Sequence, residues 1–284
     1  MLKAAKDNWQ KAFEKTLERA ERSQQRKFYA YYKEQSDLAI DLFLQNRVFS
    51  SENLIGLYTL DGFNNLYSGL YENIGLTFAN WYAKNFDKLI TKGINPTQFK
   101  EPWTTYFRSL GIGIAANRVS GVQNTAKATA MRIFKQLSYD DEFINEGEVV
   151  KARVLKSKFR NYNTFQARRV VRTEATNAAN AATYRSAQDI FPGADMEKQW
   201  ITAMDGRERA WHGEANGQTV DFDNPFIVRG EQLMWPGYVG GSAANVINCR
   251  CSMAPFPKEN ANTIGLIDEI GIGIAFGAAE ELIS

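Results

Sequence analysis

Arg168-Arg-Val-Val-Arg-Thr-Glu-Ala-Thr-Asn-Ala-Ala-Asn-Ala-Ala-Thr-Tyr-Arg185, running on to Phe191-Pro-Gly193, separates two textures of the chain. The alanine-rich run predicts a helix from Phe165 to Ile190, because alanine is the strongest helix former. Phe191-Pro-Gly193 then reads as a helix stop. Upstream, apolar residues recur at helical spacing. Leu2, Trp9, Phe13 and Leu17, continued by Phe28, Tyr31, Leu38 and Leu42, predict a helix over residues 1–50. Ser50 and Ser51 cap a second helix near 52–92, with Leu57, Leu60, Leu70, Ile74, Phe78 and Trp81 as its stripe. Gly56, Gly62, Gly69 and Gly75 interrupt it; each costs about 1 kcal/mol in a helix interior, so they mark either close helix contact or breaks. Gly93 to Pro102 is a loop, and further helices follow near 103–117, 119–137 and 143–160. Downstream, Met196 to Ala203 is β-compatible. Thr219–Phe222 and Phe226–Val228 flank a turn at Asp223-Asn-Pro225. The fold class is therefore α+β: a mostly helical N-terminal two-thirds followed by a small, loop-rich α+β module.

The rare side chains fall in that module. The chain has one His and two Cys among 284 residues. One His excludes two-His zinc hydrolases and multi-His oxygenases, and leaves a Ser-His-Asp or Cys-His enzyme only with His212 as base. Two Cys exclude a disulfide-stapled scaffold. Cys249 and Cys251, two apart, project to one side of an extended strand, where two thiolates converge on a metal more easily than they form a disulfide. His212 and Asp205 would complete a four-coordinate structural zinc site. The competing reading is metal-free, with His212 and Asp205 paired as a buried polar staple. A buried Glu174 needs a partner, and Arg207 or Arg209 is the expected structural ion pair. Glu146-Gly-Glu148 has the Glu-x-Glu form of ADP-ribosyltransferases but lacks the accompanying Arg and Ser-Thr-Ser elements, and reads as a chance match.

The net charge of +2 conceals a partition. Residues 151–185 hold nine basic side chains against one acid, and residues 186–284 hold 6 basic against 14 acidic. Lys151, Arg153, Lys156, Lys158, Arg160, Arg168, Arg169 and Arg172, interleaved with Phe159, Tyr162 and Phe165, suit nucleic-acid phosphates, an acidic protein partner, or a solvated helical face. No segment has the roughly 20 apolar residues of a membrane span. The N-terminus lacks the apolar core of a secretory signal, so synthesis in a host cytoplasm is expected.

Arg172-Thr-Glu174, Asn177-Ala178, Trp200, Asp205, Arg207, His212, Gly217, Phe226, Pro236-Gly237 and Asn248-Cys-Arg-Cys251, in that order, resemble the phage Mu F-like minor head protein (head morphogenesis) domain. The resemblance implies a domain over 111–262, with its dense part at 165–257. It leaves residues 1–110 as a long-helix docking region and 263–284 as a Gly/Ile-rich apolar tail. It implies a structural, non-enzymatic virion protein inside the capsid at the portal vertex, acting in head assembly. The portal protein, the major capsid protein and packaged double-stranded DNA are its expected partners, with no small-molecule substrate and no membrane role. Some family members carry a fused toxin domain; with some 27 residues after Pro257, none is expected in this chain. The alternative is a metal-dependent nuclease or other hydrolase using Asp205 and His212.

Overall fold

The computed structural model describes residues 3–46, 49–86 and 95–258. Four long helices lead: α1 (Lys3–Gln45), α2 (Leu60–Asn85), α3 (Lys100–Leu137) and α5 (Glu148–Ile190), with the short α4 (Asp141–Asn145) before α5. Then come β1 (Met196–Ile201), α6 (Ala210–Glu214), β2 (Thr219–Asp221), β3 (Phe226–Val228), β4 (Glu231–Leu233), α7 (Ala243–Val246) and β5 (Ser252–Pro257). The α+β reading holds. Several boundaries differ from the sequence expectation. The helices expected near 103–117 and 119–137 are one, as are most of 143–160 and 165–190. Neither junction contains proline, so nothing stops the backbone ladder. Ser50 precedes only a 3₁₀ turn, Ser51–Leu54, and α2 begins at Leu60. Residues 87–92 of the expected second helix, and the tail 263–284, lie outside the described residues. Among the described residues, no helix is long and apolar enough to cross a membrane.

The chain forms two compact units that are interleaved rather than consecutive. Among the described residues, one takes 3–21, 70–86, 95–108 and 172–258, and the other takes 22–46, 49–69 and 109–171. The blocks 1–110 and 111–262 do not coincide with these units, because each of the four long helices contributes a part to both.

In the first unit, α1 packs Trp9 and Phe13 against Trp81 and Phe78 of α2. Tyr82 and Phe86 extend this aromatic layer toward Phe191, just beyond the C-terminus of α5. The expected turn at Asp223–Pro225 joins strands that do not pair with each other. β2, β1 and β5 form an antiparallel sheet in that order, with Lys198 opposite Val220 and Pro255. β3 pairs instead with β4, Val228 opposite Glu231. Arg229 and Gly230 between them both have positive φ, 52° and 76°, as a two-residue hairpin turn of this hand requires.

In the other unit, α1 buries Phe28, Tyr32, Ala39 and Ile40. Leu38, expected in the stripe, is exposed, because the apolar face rotates onto Tyr32, Ser36 and Ile40. Ser36 donates to Asn163 of α5 at 3.0 Å, and Gln35 accepts from Tyr58 N at 2.7 Å. Phe43, Phe49, Phe134 and Phe159 complete this core. Of the four glycines in question, Gly62 lies against Tyr31 in this unit and Gly75 against Phe107 in the first. Gly56 and Gly69 have open space, so close contact explains only half of them.

Candidate functional site

Residues 173–183 of α5 are buried on every side, with Ala175, Ala178, Ala179, Ala181 and Ala182 all close to zero exposure. Small side chains let other elements approach, and the polar residues between them hold those elements by their backbones. Thr173 Oγ1 accepts from Asn248 N at 3.1 Å, and Thr176 donates to Cys249 O at 2.6 Å. Asn180 Nδ2 donates to Pro236 O and Cys251 O, both at 3.1 Å, while its Oδ1 accepts from Met253 N at 2.8 Å. β5 is an edge strand, and the Asn180 amide pairs with its open edge as a neighbouring strand would. Tyr82 continues the cover by donating to Pro255 O at 2.9 Å. Asn177 accepts from Trp235 Nε1 and donates to the Tyr71 hydroxyl, both at 2.7 Å. Gly237, φ 81°, lies on this helix; a Cβ there would sit 3.1 Å from Asn177 N.

That clamp presents the Asn248–Cys251 turn to α6. Asn248, φ 55°, reverses the chain, and both sulfurs then face the His212 ring. Cys251 Sγ is 3.5 Å and Cys249 Sγ 3.8 Å from His212 Nδ1, and both thiols are free. All three donor atoms lie within 4.8 Å of one another and are buried, a group that could hold a metal ion. Zinc at about 2.3 Å from S and about 2.0 Å from N in tetrahedral geometry separates those atoms by roughly 3.5 Å, so the donor set fits. Trp200 packs edge-on against the imidazole at 5.6 Å and donates to Thr202 Oγ1 at 3.2 Å. Thr202 in turn donates to His212 O at 2.7 Å. The hydrogen bond from Cys251 outweighs burial and, with His212, holds the Cys249 thiol well below its usual range. Burial and then the Cys249 charge push Cys251 well up.

Asp205 does not join this group. Arg250 grips it at 2.7 and 3.0 Å, and Arg207 reaches it at 2.5 Å. Burial raises its pKa, but these bonds outweigh that and hold it at about 2. Neither the Asp205–His212 staple nor a hydrolytic centre built on the two is formed, because the arginine neighbours take the carboxylate first. The Glu174 expectation also fails. Glu174 accepts from Tyr71 at 2.7 Å, Arg207 binds Asp205, and Arg209 donates to Ile247 O at 2.6 Å. The phenol of Tyr71 on α2 meets the carboxylate, and both arginines are engaged elsewhere.

On α5, Arg153, Lys156, Lys158, Arg160, Arg168 and Arg169 are exposed. Lys151 lies over the Phe143 ring, and Arg172 reaches the buried Glu21 at 3.7 Å. α1 adds Arg22 and Arg26, which line a groove of about 360 Å³ with Arg168 and Tyr29. Their contribution was invisible in sequence, being some 140 residues upstream.

Lys198 was not singled out either. It shares strand parity with Met196 and Trp200, and that inward face was the available signal. Its ammonium donates to Met234 O at 2.9 Å and lies over Tyr184 and Phe226 at 5.1 and 5.3 Å. Burial lowers its pKa to about 8, against the attraction of Asp223. The unfolded chain therefore binds this proton more readily between pH 8 and about 10.4. Stability should rise through that window, by at most about 1.4 kcal/mol per pH unit. Urea midpoints at pH 7–10 for wild type and Lys198→Met check this: the rise should be smaller in the variant.

Residues 118–254 match the family described as phage Mu protein F like protein. Minor head protein GP7 of Bacillus phage SPP1 is 32% identical over 89 residues, 31% of this chain and 29% of that protein. NAD(+)–arginine ADP-ribosyltransferase EFV of Enterococcus faecalis is 34% identical over 90 residues, 31% of this chain and 18% of the enzyme. The chain thus spans less than a third of either relative. No solved structure matches.

Proposed function

We propose that this chain, which belongs to the phage Mu protein F like family through residues 118–254, is a structural minor head protein of a tailed bacteriophage. Its place would be in the virion, at the portal vertex, acting in head assembly. The observation that carries the reading is the α5 clamp: Thr173, Thr176 and Asn180 hold the backbone of the signature residues Asn248, Cys249 and Cys251 in place, a structural use of that stretch. The likeness to the SPP1 minor head protein supports it. We read the likeness to the Enterococcus enzyme as a shared non-catalytic segment. Glu146 and Glu148 are both exposed around the α4–α5 link. Mass spectrometry of purified heads should find this chain in few copies relative to the capsid protein, and co-expressed portal protein should retain it. Heads lacking it, or arginine ADP-ribosylation by the purified chain, would overturn the reading.

Within that role, the exposed basic residues of α5, with Arg22 and Arg26, would contact packaged DNA. If roughly four phosphates are neutralised, affinity for duplex DNA should drop about 10²-fold between 50 and 200 mM salt. Arg153→Glu with Lys156→Glu should flatten that dependence. Salt-insensitive retention, or a variant with unchanged slope, would exclude the DNA contact. The metal suited to Cys249, Cys251 and His212 is zinc in a structural role, since thiolate and imidazole donors favour it and the group is closed to solvent.

A further inference from the structure

We infer that Glu208, rather than Asp205, supplies the fourth ligand of the metal centre at Cys249, Cys251 and His212; this rests on the zinc reading above. A cavity of about 20 Å³ is bordered by Thr202, Glu208, His212 and both cysteines. That is room for one water or one ion. Glu208 Oε2 is buried without a hydrogen-bond partner. A buried carboxylate oxygen with no donor is costly, and such an orphan in a native fold points to an absent ion or water.

The nearby cations do not answer it. Arg207 and Arg250 are committed to Asp205, and Arg209 donates to the Ile247 carbonyl. Position matters as well. Glu208 stands four residues before His212, just ahead of α6, on a segment half-open to solvent. Asp205 would first have to give up its four bonds from two guanidinium groups. Two thiolates and one carboxylate around a divalent ion leave one net negative charge, which the three adjacent arginines offset. On binding, the ion displaces thiol protons to solvent, and the Glu208 carboxylate contributes a lone pair.

The full chain should be stripped with chelator, then titrated with zinc in competition with a chromogenic chelator and with cobalt as a spectroscopic stand-in. Wild type should bind one ion per chain, with cobalt giving tetrahedral ligand-field bands and thiolate charge transfer. Glu208→Gln should weaken zinc at least tenfold and shift the cobalt bands, Glu208→Asp should recover part of the loss, and Asp205→Asn should remain near wild type. No ion in the wild type overturns the zinc reading itself. Zinc bound equally by wild type and Glu208→Gln overturns only the assignment of Glu208, and loss confined to Asp205→Asn transfers the role to Asp205. Should Glu208→Gln fail to fold, cobalt bands from wild type that show five or six ligands rather than four overturn the closed site.

Discussion

An Asn180→Ala variant is expected to lose about 3–4 kcal/mol of unfolding free energy, because each buried backbone group left without a partner costs about 1–3 kcal/mol. The substitution removes the donor to Cys251 O and Pro236 O and the acceptor for Met253 N at once. All of these lie inside the first unit, so water cannot replace the amide without opening β5. Asn180→Asp is the informative companion. Its carboxylate keeps the bond from Met253 N but repels the two carbonyl oxygens, so it should recover little. Urea denaturation followed by circular dichroism measures both. A loss under 1 kcal/mol for Asn180→Ala would mean that the β5 edge is held by its sheet partner alone.

Trp200→Ala should be at least as damaging, about 3–5 kcal/mol, as for other large aromatic truncations in a core. Trp200 has no exposure and packs between the His212 ring and Phe226, at 5.6 and 5.4 Å. Removing it also leaves Thr202 Oγ1 without the indole donor, on the same hydroxyl that orients His212 and meets Cys251 Sγ at 3.6 Å. Stability and the order of the thiol–imidazole group should therefore fall together. Trp200→Phe keeps most of the buried area but not the donor, and separates the two effects: its stability should return most of the way. Urea midpoints give the first quantity, and near-ultraviolet dichroism, dominated by the remaining tryptophans, gives the second. Retained midpoints in Trp200→Ala would show that the core tolerates the cavity.

Much of the fold was legible because its signals are local. The alanine run and Phe191-Pro-Gly193 ended α5 at Ile190 as expected, and β1 fell within the expected 196–203. Pairing was not legible. Thr219–Phe222 and Phe226–Val228 look like hairpin arms, yet they serve different sheets, because β1 competes for β2 from twenty residues away. The thiol–imidazole group was legible, since rarity located Cys249, Cys251 and His212. Asp205 was placed with them wrongly for a definite reason: spacing cannot say which carboxylate an arginine has already taken, and Arg250 takes Asp205.

By itself the sequence determined what is written in short range: the helical two-thirds, the α5 stop, the +8 basic run, and the three scarce side chains that belong together. The tertiary structure alone decided the partners. It turned Asn180 from a helix-neutral residue into the clamp on β5, joined Asn177 to Tyr71 and Trp235, moved Glu174 from an arginine to Tyr71, and drew Arg22 and Arg26 beside Arg168. The physical reason is common to all of these. A backbone preference is settled within a few residues, whereas a buried polar group is satisfied by whichever donor or acceptor the packing delivers, and that neighbour can be a hundred residues away.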